Sequence, residues 1–302
     1  MGVLTRTSIL AFTLAAAACD DADVAPVVWI PIDAIDGPLR PDLAQPANPA
    51  TPRDRFRVAT YNTLKGLDPD ALAPALLAHP ALAHVDVWLM QETDRFDDIA
   101  DAARLAGALD MGYVYAPTSR MDDGTRGLSI LSRFPVRDVE IMFLQSEWSI
   151  DLEETSARSA VAVEIDTPSG PLRIVNVHLD VAQNISERIL QLRPAVFDTP
   201  TPILVGGDFN TNEYVWADPF IPLFPLDAAA ETDQAPVLDE YMRAIGYDTP
   251  TSSFGDTWHG LPEDQRLDSI YVRGLATGDG AVERAIDQSD HWPVWLDIEL
   301  RP

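Results

Sequence analysis

A chain of 302 residues with 46% hydrophobic content has enough apolar material for a sizeable core, in one large domain or two. Its 48 acids against 21 bases give a net charge of −27, which counts against a basic surface that tracks the phosphates of nucleic acid. Cys19 is the only cysteine, so an internal disulfide is excluded.

Residues 1–18 read as a secretory signal, with Arg6 as the positive charge, an apolar run from about Ile9 and small residues before Cys19. The run is too short to span a membrane. Cys19 stands where a bacterial lipoprotein motif places its lipidated cysteine, although Ala16 occupies a position that motif fills with Leu. The mature protein is therefore expected outside the cytoplasm, anchored to the cell envelope through Cys19 or secreted. Residues 19–53 are rich in proline and read as an extended tether, leaving 54–302 as the domain.

From Phe56 the pattern becomes regular. "FRVATYN" alternates as a strand ending at Asn62, and 68–79 reads as a helix with an acidic first turn. "VDVWLMQE" is a strand ending at Glu92. A helix is expected to follow at once, with Phe96, Ile99, Ala100 and Ala103 at helical spacing and Thr93 or Asp94 as its N-cap. Strands are expected at 127–132, 136–144, 159–165 and 172–178. A helix interrupted near Pro194 covers 184–197, and the strand "ILVGGDFN" covers 203–210. A helix near 236–245 and strands near 268–272 and 293–300 complete the chain.

Two units echo one another: a strand ending in Asn62, a helix and a strand ending in Glu92, then a strand ending in His178, a helix and a strand ending in Asp208 and Asn210. This arrangement predicts an α/β sandwich whose two sheets present polar strand ends at one rim. Asp208 and Asn210 are expected on one strand face, with Phe209 turned into the packing. Gly206 and Gly207 are expected to admit a close approach of backbone and substrate. Asp268, Asp290 and His291 also border apolar strands. Each of these residues has a local explanation as a cap, a turn or a core histidine. Together they recruit only oxygen and imidazole groups, which suits Mg²⁺, Mn²⁺ or Ca²⁺ and metal-assisted hydrolysis of a phosphate ester.

"ATYNTLKG", "WLMQET", "GLSILSRFPV", "IVNVHLD", "VGGDFNT", "RLDSIYV" and "SDHWPVW" follow one another in an order that resembles the endonuclease/exonuclease/phosphatase superfamily over about residues 54–300. The resemblance implies a deoxyribonuclease I-like fold, a four-layer α/β/β/α sandwich. It implies Asn62, Glu92 and Asp290 as metal ligands, and Asp208 as the group that activates water. Asn210 and Arg158 would contact the phosphate. His178 and His291 would stabilise the pentavalent phosphorus or handle protons, with Asp268 orienting His291. Leu64 departs from the acid that repair-type members often carry two residues after the first Asn, which disfavours that branch.

The substrate stays open between a small or lipid-linked phosphate ester and a nucleic acid, cleaved by a monomer. An aromatic, proline-rich insertion at 214–226 would pack on the domain, wall the site or touch lipid. The alternatives are a secreted deoxyribonuclease I-like nuclease and a catalytically inactive binding lipoprotein on the same fold. No Gly-x-Ser-x-Gly elbow or His-Glu-x-x-His motif points to a serine or zinc hydrolase.

Overall fold

The computed structural model describes residues 41–64, 68–96, 99–121, 124–144, 158–213, 215–218, 221–223, 233–260 and 263–301. The expected signal segment, Cys19 and the expected tether as far as residue 40 lie outside the described residues, as do residues 214, 219–220 and 224–226 of the 214–226 insertion.

Two βαβ units form the centre. In the first, β2 (Arg55–Asn62) leads through α1 (Pro69–Ala78) to β3 (Val87–Phe96), which lies parallel to β2. In the second, β9 (Gly170–His178) leads through α3 (Ile185–Val196) to β10 (Ile203–Asp208), again parallel. Asp68 caps α1, and Asn184 with Glu187 forms a capping box on α3. Pro194 falls in the last turn of α3, and the helix runs through it without the expected interruption.

Each unit grows into its own sheet. The first gains β1 (Asp42–Ala44), β4 (Ile99–Ala100), β5 (Gly112–Met121), β6 (Gly124–Ser132), β14 (Leu275–Val282) and β15 (Val294–Leu300). Its order is β1-β5-β6-β3-β2-β15-β14, with β4 beside β3. The second gains β7 (Val136–Leu144), β8 (Arg158–Thr167) and β13 (Asp268–Arg273), in the order β13-β10-β9-β8-β7, while β11 (Val215–Asp218) and β12 (Ile221–Leu223) pair with each other. Helix α2 (Asp101–Leu109) joins α1 on the outside of the first sheet, around Trp88, Met90 and Tyr61. Helix α4 (Gln234–Ala244) joins α3 on the outside of the second, around Val175, Val177 and Tyr271. A third apolar cluster, with Val58, Leu89, Val161, Ile174 and Leu204, fills the space between the sheets. The result is the expected four layers.

Period two explains why the site forms where it does. The row of β2 that faces the other sheet reads Phe56, Val58, Thr60, Asn62, and that of β9 reads Leu172, Ile174, Asn176, His178. Each row begins apolar and turns polar at its carboxyl end. The same edge of the sandwich is therefore polar in both sheets.

Several local expectations are corrected. No helix starts at Thr93, because β3 continues to Phe96 with Thr93 opposite Gly127 and Asp94 opposite Arg126. Helix α2 begins only at Asp101. The 203–210 strand stops at Asp208, since Asn210 takes φ 50°. The expected tether already belongs to the fold from Asp42, where β1 pairs with β5. Gln45 then exchanges hydrogen bonds with the backbone of Val136, donating at 2.8 Å and accepting at 3.0 Å. Strands β5 and β14 carry Gly and Pro or several polar residues, which hid them from the hydrophobic pattern.

The expected close approach of backbone is realised at Gly207, and Gly206 makes room for a side chain of the facing sheet. A Cβ on Gly206 would lie 2.8 Å from Leu89 Cδ1 of the facing sheet. Gly207 has φ +148°, and a Cβ there would lie 2.0 Å from the Val177 carbonyl oxygen of the next strand. Gly207→Ala is therefore expected to cost on the order of 3 kcal/mol, read as a lower urea midpoint at unchanged slope.

Candidate active site

Every residue singled out in the sequence lies at this rim, and direct contacts link them. His178, Asp208 and Asp268 stand side by side, because Asp208 pairs with His178 across β9–β10 and with Asp268 across β10–β13. Asn62 and Glu92 come from the opposite sheet. Asn62 Nδ2 donates to Asp208 Oδ2 at 2.9 Å and lies 3.4 Å from Glu92 Oε1, joining the two halves. Asp290 and His291 precede β15, and Ser289 Oγ donates to the Asn62 carbonyl at 2.9 Å.

Glu92 sits at a bulge. Met90 is opposite Ser129 and Thr93 is opposite Gly127, so Gln91 and Glu92 together face the single residue Leu128. Glu92 takes φ 57° there, which turns its side chain out of the regular strand alternation. Arg126 donates to Asp94 through Nε at 2.7 Å and Nη2 at 2.9 Å, and its Nη1 lies 3.9 Å from Glu92 Oε2.

The two imidazoles are held in opposite states. His291 Nδ1 lies 2.8 Å from Asp268 Oδ2, an oxygen that also accepts from Thr257 Oγ1 at 2.7 Å. His291 Nε2 faces Asp208 Oδ2 at 3.9 Å and Asp290 Oδ1 at 4.0 Å. Burial opposes charge on this ring, but Asp268, Asp208 and Asp290 outweigh it and raise its pKa to about 10. His178 is driven the other way: burial, then Arg158, push it well below its ordinary value. Arg158 Nη1 lies 3.2 Å from His178 Nε2 and 3.3 Å from Nδ1, and His178 Nε2 lies 3.5 Å from Asp208 Oδ2. A neutral and a charged imidazole therefore flank one carboxylate.

Asp208 is 1% exposed. Burial raises its pKa to about 7, with His291 opposing that rise and Asp268 adding to it. Its Oδ1 accepts from the Asn210 backbone N–H at 2.8 Å. Asn210 is a corrected case. Its left-handed backbone turns it off the strand face of Asp208, and Nδ2 donates to the Leu179 carbonyl at 2.9 Å. One amide hydrogen of Asn210 is thus committed to holding the turn after β9.

The donor set fits a hard divalent cation. Asn62, Glu92 and Asp290 offer oxygen only, and the Asp290 side chain is 35% exposed. Asp268 Oδ1 is buried with no hydrogen-bond partner among the described residues, and Asp208, Asp268 and His291 bring ligand atoms within 4.8 Å of one another. A cation in that tighter cluster would have to displace the raised proton of His291, whereas Asn62, Glu92 and Asp290 offer oxygen without that cost.

Sequence reading missed the supporting residues. Thr257 accepts from the Leu267 and Asp268 backbone N–H groups at 3.0 and 2.9 Å while bonding the Asp268 carboxylate. Trp258 Nε1 donates to Asp290 Oδ2 at 2.9 Å. Both lie in a segment outside any helix or strand, where neither period applies. Leu64 is partly exposed, and its backbone N–H donates to Asn62 Oδ1 at 3.1 Å.

Comparisons with known proteins agree with this geometry. Residues 59–291 match the sequence model of the Endonuclease/Exonuclease/phosphatase family. Comparison with curated proteins finds no match. Among solved structures, an endonuclease/exonuclease/phosphatase from Beutenbergia cavernae is similar, with a TM-score of 0.64 at 19% identity over 82% of this chain and 72% of that one. A family protein from Leptotrichia buccalis gives a TM-score of 0.60 at 17% identity over 81% of this chain and 100% of that one. The human Nocturnin catalytic domain gives 0.53 at 14% identity over 87% and 97%. These identities speak to the fold alone. The matched span covers most of the chain, so the protein belongs to the Endonuclease/Exonuclease/phosphatase family, whose members are usually phosphoester hydrolases.

Proposed function

We propose that this chain is a divalent-metal-dependent phosphoesterase that works outside the cytoplasm. The observation that carries the reading is Asp208, bonded across the sheets to Asn62 and flanked by a neutral His178 and a charged His291. Asn62, Glu92 and Asp290 would hold Mg²⁺, Mn²⁺ or Ca²⁺, which when bound neutralises phosphate charge and polarises the ester. Asp208, its pKa raised to about 7, accepts the proton of the attacking water as the water oxygen bonds to phosphorus. The imidazolium of His291 donates from Nε2 to the developing charge and gives that proton to the departing ester oxygen, and the proton taken up by Asp208, 3.9 Å away, restores the ring after product leaves. Asp268 and Thr257 fix the orientation of that ring. Arg158 and neutral His178 supply donors on the opposite side of Asp208.

A small or lipid-linked phosphate ester suits a chain of net charge −27 better than a nucleic acid, which that surface repels at long range. The test is a panel of bis-nitrophenyl phosphate, nitrophenyl phosphate, inositol phosphates, sphingomyelin and supercoiled plasmid with Mg²⁺, Mn²⁺ or EDTA. Turnover of a small or lipid ester, abolished by EDTA and restored by Mg²⁺ or Mn²⁺, is expected. Nicking of plasmid alone would make the chain a secreted nuclease, and no turnover at all would leave it a binding protein on this fold.

The extracytoplasmic placement rests on residues 1–19. A lipid on Cys19 predicts that the native protein partitions into detergent and that Cys19→Ser releases it or blocks its maturation. An unchanged soluble distribution would leave simple secretion.

A further inference from the structure

Asn176 lies in the inward row of β9, after Leu172 and Ile174 and before His178. It is fully buried between the sheets, where Leu172 and Ile174 before it in the row are part of the apolar core. A primary amide in that layer needs a reason, because burying one without partners is costly. Its partners are specific. Nδ2 donates to the Met90 carbonyl and to the Ser129 carbonyl, both at 2.9 Å. Oδ1 accepts from Gln91 Nε2 at 2.6 Å.

These three groups define one place in the facing sheet. Met90 and Ser129 are the last pair before the register of β3 and β6 slips, and Gln91 is the first residue of the bulge. The second bulge residue is Glu92, with its left-handed backbone. Other bonds close around the same point. Thr63 holds the Gln91 carbonyl through its N–H at 3.0 Å and Oγ1 at 2.8 Å. Thr93 Oγ1 lies 2.7 Å from Ser129 Oγ, and Gln91 Nε2 also reaches Thr60 Oγ1 at 3.1 Å. A bulge re-aims a side chain only while its backbone is held against relaxing to the regular register.

We propose that Asn176 is a positioning residue for Glu92: from the second sheet, it clamps the bulge that turns the Glu92 carboxylate into the site. The same bonds set the spacing between the two half-sites, because His178 lies two residues further along the strand that carries Asn176. This inference rests on reading Glu92 as a metal ligand. Its test therefore measures metal binding directly.

Mn²⁺ affinity is measured by calorimetry on the full chain and on Asn176→Leu, Ile174→Ala and Glu92→Gln, with unfolding midpoints for each. The leucine is close to isosteric and removes all three bonds. Asn176→Leu is expected to weaken Mn²⁺ binding by roughly 10–100-fold, the usual effect of removing a group that orients a ligand. Ile174→Ala, in the same row, is expected to lose stability with its Mn²⁺ affinity unchanged. Wild-type affinity in a folded Asn176→Leu would overturn the proposal while leaving the site reading intact. So would an equal loss of affinity in Ile174→Ala, because the effect would then be general loosening. If Asn176→Leu does not fold, Gln91→Met, which removes the donor that orients Asn176, carries the same expectation and the same refutation. Wild-type protein that binds no Mn²⁺, or Glu92→Gln that binds it normally, would overturn the site reading and this inference with it.

Discussion

Asp208→Asn is expected to lower kcat by roughly 10²–10⁴-fold, the usual worth of a general base, with the fold retained. The amide can still accept the Asn210 N–H, so the turn at the end of β10 keeps its anchor. It cannot take a proton from water. Stability is expected to move the opposite way. The folded pKa of Asp208 is raised to about 7 from its ordinary 3.8. The native state therefore binds a proton that the unfolded state has released, and this group costs stability increasingly as pH rises from about 4 to 7. In EDTA the variant should show a flatter pH dependence of melting below 7, while at pH 8 its new amide nitrogen faces the Asn62 Nδ2 that donated to Oδ2 and offsets part of the gain. The measurements are kcat on the best ester of the panel, and melting temperature in EDTA from pH 4 to 9. Full activity, or a collapse of stability, would return "GGDFN" to being a turn.

His291→Ala is expected to cost roughly 10²–10³-fold in kcat, and Asp268→Asn less, since Asp268 acts through the ring it holds. The distinguishing signature is in pH. The His291 pKa rises from 6.5 to about 10 in the folded chain. Its stabilisation is thus fully present below about pH 6.5 and is lost as pH climbs through 10. Asp268→Asn removes the carboxylate that holds this proton at 2.8 Å. The gap in unfolding free energy between wild type and Asp268→Asn, measured in EDTA, should be a few kcal/mol at pH 6 and should shrink toward pH 10. A gap independent of pH would mean that Asp268 and His291 do not share the proton. Both titrations make the metal-free chain weaker as pH rises, and at pH 8 Asp208 has lost its proton, so Mg²⁺ should raise the melting temperature there by supplying positive charge in its place.

The strands that carry the site were legible because their signal is local. "FRVATYN", "IVNVH" and "ILVGGD" each alternate with period two and become polar at the carboxyl end, and the structure places those ends at one rim. Thr93–Phe96 imitates the start of a helix because Phe96, Ile99, Ala100 and Ala103 stand at helical spacing. Pairing with β6 and the bond from Arg126 to Asp94 decide for strand. Thr257 and Trp258 had no signal, since their roles depend on Asp268 and Asp290 folding back onto them.

By itself, then, the sequence determined the two βαβ units, the polar strand ends and the oxygen-and-imidazole character of the site, all properties of residues close in the chain. Only the tertiary structure decided that His291 is charged and His178 neutral, that Asn210 turns away to hold Leu179, and that Glu92 is aimed by a bulge clamped from the other sheet. The physical reason is that protonation and backbone strain answer to burial and to partners far away in sequence, as Asn62 and Asp208 are at 146 residues apart.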